Sequence, residues 1–448
     1  MLGWMCRRFV HSTVTASRLL DRVEPKNDIL LQGWVSAYQR HGALHFLKVN
    51  DGTCARDVQV VVTKKAFING LPIVGSAVKV SGDWVKSQGA QQPMELFAKQ
   101  CEQIGRNNQE KPWLETESSD ALRLHLHLRP KHKAFAAVLR LRSQLQLATH
   151  RFFMDRDFHQ VDPPLFSLND CEGAGETFTV KSTNESDFFG EDDPQIYLPV
   201  STQLHLEALA SGIQNVYTIT PAFRADHTTS RLRLAEFRML EVECAFMERV
   251  DDLCTTVENY VKFIVNDMRQ LKDDIQELAI LRDVSCRNLL DTIDADRPIP
   301  RITFAEASSI LRSKGDTDIG PSFSKQQEHT LVEETGGPLF VTRLPADDKP
   351  FYMKRTDDQI YVENFELLAP VVGELAGGSV REHDCESIQK RQGGEKTTLD
   401  WYLELRQVGY PRSSGFGLGV DRLMQSLFGI SNIKDTIAFP RWYKHCTC

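Results

Sequence analysis

From about residue 29 to 104, apolar and polar residues alternate in short runs: ILLQGWVSA, ALHFLKV, DVQVVVT, SAVKVSGDWV and MELFAKQ. A period of two, clearest at Val58, Val60 and Val62, is that of strands with one buried face. Asp51-Gly52 is a tight-turn signal between two of them. Five short strands in about 75 residues predict a small closed barrel of the OB type, whose sheet face can hold single-stranded nucleic acid or oligosaccharide.

A polar stretch, Gly105 to Ser119, offers little apolar surface to bury and reads as part of a linker over 106–130. Beyond it the period becomes helical. Phe135, Val138, Leu139, Arg142 and Leu145 predict a helix over 134–153, and Val257, Tyr260, Val261, Ile264, Met268, Leu271 and Ile275 predict one over 255–278. Pro163-Pro164 ends the extended segment after the first helix. Strand-like runs recur at QIYLPV, NVYTITPAF, FRMLEVECAF, PLFVTRL and IYVENFELLAP. The expected architecture is α+β: a barrel over 28–105, then a larger domain over 131–448 with an antiparallel sheet flanked by helices.

Composition adds exclusions. The 448 residues are 41% hydrophobic and 25% charged, which suits a folded protein of two or three domains. Fifty-three basic against 61 acidic residues give −8, which excludes binding nucleic acid through bulk positive charge but leaves local patches open. The 10 cysteines form no CxxC pair, so neither a zinc site nor a disulfide framework is expected. No apolar run approaches the roughly 18 residues of a spanning helix, so no membrane partner is expected. Residues 1–20 carry Arg7, Arg8 and Arg18 with no acid before Asp21, the composition of a mitochondrial presequence, which predicts the mitochondrial matrix as destination.

Three clusters carry candidate chemistry. In FRADHTTSRLRLAEF, Arg224, Arg231 and Arg233 are expected to converge on a polyanion such as a triphosphate, because guanidinium forks match phosphate oxygens. GFGLGVDRL alternates glycines, which permit close backbone approach, before Arg422; it lacks the lysine of a P-loop. FELLAPVVGELAGGS carries Glu366 and Glu374, two carboxylates able to hold magnesium beside a triphosphate.

In this order, an extended segment ending in proline, a strand-loop-strand opening on Phe-Arg, and a terminal GxGxGxxR run resemble the three motifs of class II aminoacyl-tRNA synthetases. The barrel in front makes the chain similar to subclass b, the asparaginyl, aspartyl and lysyl enzymes. CEGAGETFTV, VSTQLHLE, LAEFRMLEVECAF and KPFYMK resemble the asparaginyl family. Aspartyl enzymes tend to have a lysine where this chain has Leu206; without that cation a neutral amide is the better guest.

The resemblance implies ATP and Mg2+ as cofactors, L-asparagine and tRNA(Asn) as partners, and a homodimer. Arg224 would hold the α-phosphate. Phe237 and Arg422 would sandwich adenine, with Asp226, Arg231 and Arg233 completing the ATP site and Glu374 with Glu366 holding the metal. Glu176, Gln203, Glu241 and Arg406 would bind the amino acid. Arg40, Phe46 and Gln59 would meet the anticodon, with Phe46 as barrel core the competing assignment. Pro164 would sit in the dimer interface. The sequence departs from the family pattern at Asp226, in place of glutamate, and at Arg233, in place of histidine. YPRSSGFG and GVDR depart as well. The alternatives are an aspartyl enzyme and a non-catalytic RNA-binding relative, the latter disfavoured because Arg224, Arg422 and Glu374 are all present.

Overall fold

The computed structural model describes residues 13–90, 92–108, 118–168, 177–183, 188–190, 194–283, 285–347, 349–391 and 399–448. They form two compact units, Met1–Arg140 with Lys272–Ile280, and Leu141–Leu271 with Leu281–Cys448.

The first unit is built on β1 (Lys26–His41), β2 (Leu44–Asn50), β3 (Val58–Thr63), β4 (Phe67–Ile68), β5 (Ala77–Lys86) and β6 (Met94–Gly105). The sheet order β3-β2-β1-β5-β6-β4 closes through a further β3–β6 pairing. The long β1 makes closure possible. Trp34–His41 pairs with β2 and Lys26–Trp34 with β5, and the register shift between Val35 and Ala37 bends the strand. Ile29, Leu31, Val35, Leu47, Val49, Val58, Val60 and Val62 fill the interior, as their alternation predicts. The turn expected at Asp51-Gly52 is instead a longer connection, in which Gly52 takes φ +83° and Asp51 Oδ1 accepts from the Thr53 N–H.

Two expected boundaries are corrected. Helix α1 (Ala16–Leu20) belongs to the barrel: Ala16 and Leu19 are fully buried in its core, and the Ala16 N–H donates to Asp51 Oδ2 at 2.7 Å. A presequence ending at residue 20 would remove part of that core. The expected linker 106–130 contains α2 (Ser119–Leu124) and a tight helical turn, Arg129–Lys131. Leu122, Leu126 and Arg129 are buried, with the Arg129 guanidinium 3.9 Å from the Phe135 ring centroid. The division between units falls inside α3 (Lys133–Met154), the first predicted helix.

The second unit holds β7 (His159–Gln160), β8 (Thr179–Val180), β9 (Ile196–Tyr197), α4 (Gln203–Ile213), β10 (Asn215–Phe223), β11 (Glu236–Ala245) and α5 (Val250–Met268). The short α6 (Lys272–Gln276) belongs to the first unit. After it come α7 (Leu289–Thr292), β12 (Arg301–Thr303), α8 (Phe304–Ser313), α9 (Lys325–Thr335), β13 (Leu339–Thr342), β14 (Asn364–Ala369) and β15 (Gly373–Val380). The chain ends with α10 (Cys385–Arg391), α11 (Asp400–Gln407), β16 (Ser413–Gly419) and α12 (Val420–Phe428). One sheet runs β12-β13-β14-β15-β16-β11-β10-β7, antiparallel except at its two end pairs. The predicted α+β class holds, with β10 matching its predicted run. Helix α5 stops ten residues short of the predicted end because Arg269 closes it, donating to the Leu290 and Ile293 carbonyls.

Candidate active site

The hairpin β10–β11 and strands β14 to β16 make the site. Arg224 follows β10, and its N–H donates to the Ala235 carbonyl at 3.0 Å, keeping the open end of the hairpin together. Register then builds a cavity of about 320 Å³. Across the sheet, Glu241 lies opposite Gly417, Gly417 opposite Gly377, and Gly377 opposite Glu366. The two central strands carry no side chains in that row, which leaves room between two carboxylates. Arg224, Gln203, Lys349, Glu374 and Arg381 add to the polar lining, with Ser201 and Asn364.

Glycine at 415 has a different reason. A Cβ there would lie 1.9 Å from Glu243 Oε2 and 2.4 Å from Arg381 Nη2. Gly415→Ala is therefore expected to displace the Arg381–Glu243 pair and cost about 1–3 kcal/mol as overpacking, read as a lower denaturant midpoint together with weakened amino-acid binding.

The structure brings together only part of the expected ATP set. Arg224 lines the cavity, with its guanidinium carbon 5.6 Å from the Phe237 ring centroid. Arg422 donates to the Glu374 carbonyl at 3.0 Å and lies 3.6 Å from Glu374 Oε2. Arg231 and Arg233 do not converge with Arg224; both are exposed. Arg233 pairs with Asp226 at 3.1 Å, so the two departures from the family pattern partner each other.

Glu366 and Glu374 share the cavity wall, with Lys349 Nζ 3.4 Å from Glu366. Burial and the Glu374 charge push Glu366 up to about 7. Burial would raise Glu374 as well, but the charges of Arg422, Lys325 and Arg224 outweigh it and hold Glu374 below its ordinary value. Two oxygen-donor carboxylates that disfavour each other's charge fit a hard divalent cation. Among the described residues no group of three or more His, Cys, Asp or Glu side chains is arranged to hold a metal, so substrate phosphates would have to supply further ligands.

The amino-acid set needs two corrections. Arg406 does not line the cavity; its side chain is fully buried, donating to Glu207 Oε2 at 2.5 Å and to the Tyr402 hydroxyl at 2.7 Å. The arginine that lines the cavity in its place is Arg381, which donates from Nη2 to Glu243 Oε2 at 2.7 Å. Its signal was the small-residue run GELAGGSVRE that delivers it at the end of β15. Glu241 lines the cavity, but its carboxylate already accepts from Ser201 Oγ, the Thr202 N–H and Thr202 Oγ, tying the start of α4 to β11. Burial raises its pKa. Its lone pairs are engaged, so it supports the wall and is not a free acceptor for an amide. Gln203 lines the cavity and donates to Glu207 at 3.0 Å. Glu176 lies outside the described residues.

In the barrel, Phe46 lies on the face opposite the buried His45, Leu47 and Val49, paired with Gln39 and Val61, so it is not core. Gln59, opposite Lys48, shares that face and donates to Glu95 Oε2 at 3.1 Å. Phe97, opposite Val61 on β6, lies there too and is 42% exposed. Arg40 is exposed and pairs in register with His45, which puts it on the alternate face of its strand from Gln39 and Phe46. In the second unit Pro164 is exposed beside the buried Pro163, with the apolar residues Leu165, Phe166 and Leu168 also exposed.

An antiparallel sheet whose cavity is walled by an arginine-headed hairpin and paired glutamates, in a chain that begins with an OB barrel, defines a class II aminoacyl-tRNA synthetase. The family model for class II tRNA synthetases (D, K and N) matches residues 119–443, and that for the OB-fold nucleic acid binding domain matches 29–104. Within that class the chain belongs to the asparaginyl-tRNA synthetases. It is 34% identical to the asparagine–tRNA ligase of Clostridium novyi, over 92% of this chain and 94% of that one. It is 36% identical to that of Mycoplasma mycoides, over 96% and 97%. The crystal structure of asparaginyl-tRNA synthetase from Pyrococcus horikoshii complexed with asparaginyl-adenylate superimposes with a TM-score of 0.85 at 30% identity, covering 97% of this chain and 99% of that one.

Proposed function

We propose that this protein is an asparagine–tRNA ligase that activates L-asparagine with ATP and transfers it to the 3′ end of tRNA(Asn) for mitochondrial translation. The observation that carries the reading is the single cavity in which Arg224, the Glu366–Glu374 pair and Arg381 meet. Adenylate formation is an in-line attack of the substrate carboxylate on the α-phosphate, so it needs positioning and charge stabilisation and no protein nucleophile. Arg224, which lines the cavity, would meet the phosphate charge that develops, and Arg422 holds the Glu374 segment in place. Arg381 and Gln203 offer N–H donors to the amino acid.

Glu366 and Glu374 would hold Mg2+, which when bound neutralises phosphate charge. A homodimer is supported by the exposed apolar strip at Leu165, Phe166 and Leu168, and sedimentation at micromolar concentration tests it. Delivery to the mitochondrial matrix is supported by Arg7 and Arg8 in an acid-free N-terminus. Comparing the location of the full chain with one starting at Thr13, each fused to a C-terminal fluorescent reporter, tests it.

ATP–pyrophosphate exchange with Asn, Asp and Lys tests the main reading: exchange is expected with Asn and at most weakly with the others. Equal rates with Asn and Asp would overturn it. Phe46→Ala is expected to weaken tRNA binding by about 1–3 kcal/mol through loss of one base–aromatic stack, while exchange without tRNA stays unchanged. Filter binding and charging kinetics check this.

A further inference from the structure

We infer that Glu207, a residue behind the cavity wall, is a specificity-determining positioning residue that makes the site select a neutral amide over a carboxylate by neutralising the guanidinium that reads the substrate side chain. The inference rests on the asparagine reading above. It starts from the group of buried charges behind the cavity. Glu207 and Glu243 are both fully buried, as is the Arg406 side chain, and Arg381 is 4% exposed. Glu207 accepts from Arg406, from the Tyr402 hydroxyl at 2.8 Å and from Gln203 Nε2, and its Oε1 lies 3.8 Å from Arg381 Nε. Glu243 accepts from Arg381 and from Ser413 Oγ at 2.9 Å.

Above about pH 7, where Glu243 is ionised, two carboxylates and two guanidiniums balance. Of the four, only Arg381 reaches the cavity, and Glu207 touches both Arg381 and a second cavity donor, Gln203. What Arg381 presents to a ligand is therefore N–H donors with little net charge behind them. An asparagine side-chain oxygen needs a donor and brings no charge. An aspartate carboxylate would bring a further negative charge into a desolvated and already balanced cluster, where charge interactions are weakly screened. Leu206, one residue earlier on α4, supplies no cation to offset it.

The test uses the full-length chain and measures kcat/KM for ATP–pyrophosphate exchange with Asn and with Asp. Exchange by the parent with Asn establishes the underlying reading independently of the variants. Glu207→Gln keeps the shape and one acceptor oxygen, with the Gln203 amide able to turn and accept from the new NH2, and leaves the cluster one charge positive. It is expected to raise the Asp-to-Asn ratio of kcat/KM by about tenfold or more, chiefly through KM. Adding Arg406→Met to it restores balance and is expected to return the ratio toward that of the parent, which a merely structural role for Glu207 would not do. Should Glu207→Gln not fold, Glu243→Gln, assayed at pH 8 where Glu243 is mostly ionised, adds the same charge from β11 and is read in the same way. An unchanged ratio in a folded single variant, or a double variant no closer to the parent than the single one, overturns the inference.

Discussion

Arg224→Ala is expected to abolish asparagine-dependent pyrophosphate exchange, with a loss of about 10²–10³-fold or more, while the thermal melt stays close to that of the parent. The size follows from where the charge sits. Arg224 enters the cavity from the open end of the β10–β11 hairpin, and no other arginine of its loop lines that cavity. Pentavalent phosphorus concentrates negative charge on the oxygens such a guanidinium would face, and a preorganised cation in a partly dry cavity acts more strongly on that charge than water does. The fold should survive because the backbone N–H of residue 224 keeps its bond to Ala235, and Glu374 retains the charges of Arg422 and Lys325. Exchange is the readout for the first half-reaction, and circular dichroism melting controls for folding. A folded variant with parental exchange would remove Arg224 from the reaction.

Arg233 should behave differently. It is 51% exposed and paired with Asp226, so its removal breaks a surface ion pair whose contribution to stability is about 0–1 kcal/mol. The contrast between 224 and 233 shows what a motif can and cannot say. The run FRADHTTSRLRLAEF shows three guanidiniums within ten residues, but which of them turns inward depends on the path of the loop. That path is set by contacts far away in sequence, such as the Ile433 N–H bond to the Arg231 carbonyl.

The barrel was legible because each strand's alternation has a single solution: Val58, Val60 and Val62 must face inward together. The helix at 16–20 was obscured by its composition. Positive charge and the absence of acids marked it as a targeting segment, and nothing local reveals that Ala16 and Leu19 enter a core formed by residues 29–101. Helices α8 and α9 were missed although both begin with capping boxes, Thr303 with Glu306 and Ser324 with Gln327, a signal that local reading could have used. The glycine run at 415–419 reads in the sequence only as a place of close backbone approach, whereas it lies in a central strand. Glycine's weak strand preference hides that its neighbours, the β11 carboxylates, need the space.

The exchange of Arg406 for Arg381 as an arginine lining the cavity has the same origin. Both arginines lie on elements that pack around Glu207, and the sequence does not say which one breaks through to the cavity. Here the physical consequence is large. Arg381→Met is expected to lose asparagine activation and, in addition, about 3–5 kcal/mol of stability, because it leaves Glu243 and Glu207 buried with one cation between them. Two measurements separate the losses. First, Arg381→Met combined with Glu243→Gln should regain most of the denaturant midpoint, since the orphaned charge is gone, while exchange stays absent. Second, the deficit of the single variant should depend on pH. Burial and the Glu207 charge already hold Glu243 up at about 7 in the parent, and losing Arg381 raises it further. A carboxyl that keeps its proton in the folded state after the unfolded chain has lost it, near the ordinary 4.5, makes stability fall as pH rises through that window. The gap between variant and parent should therefore stay level up to about pH 7, where both fold with Glu243 protonated, and widen above it by up to about 1.4 kcal/mol per pH unit. A gap independent of pH would place the loss in packing, not in the buried charge.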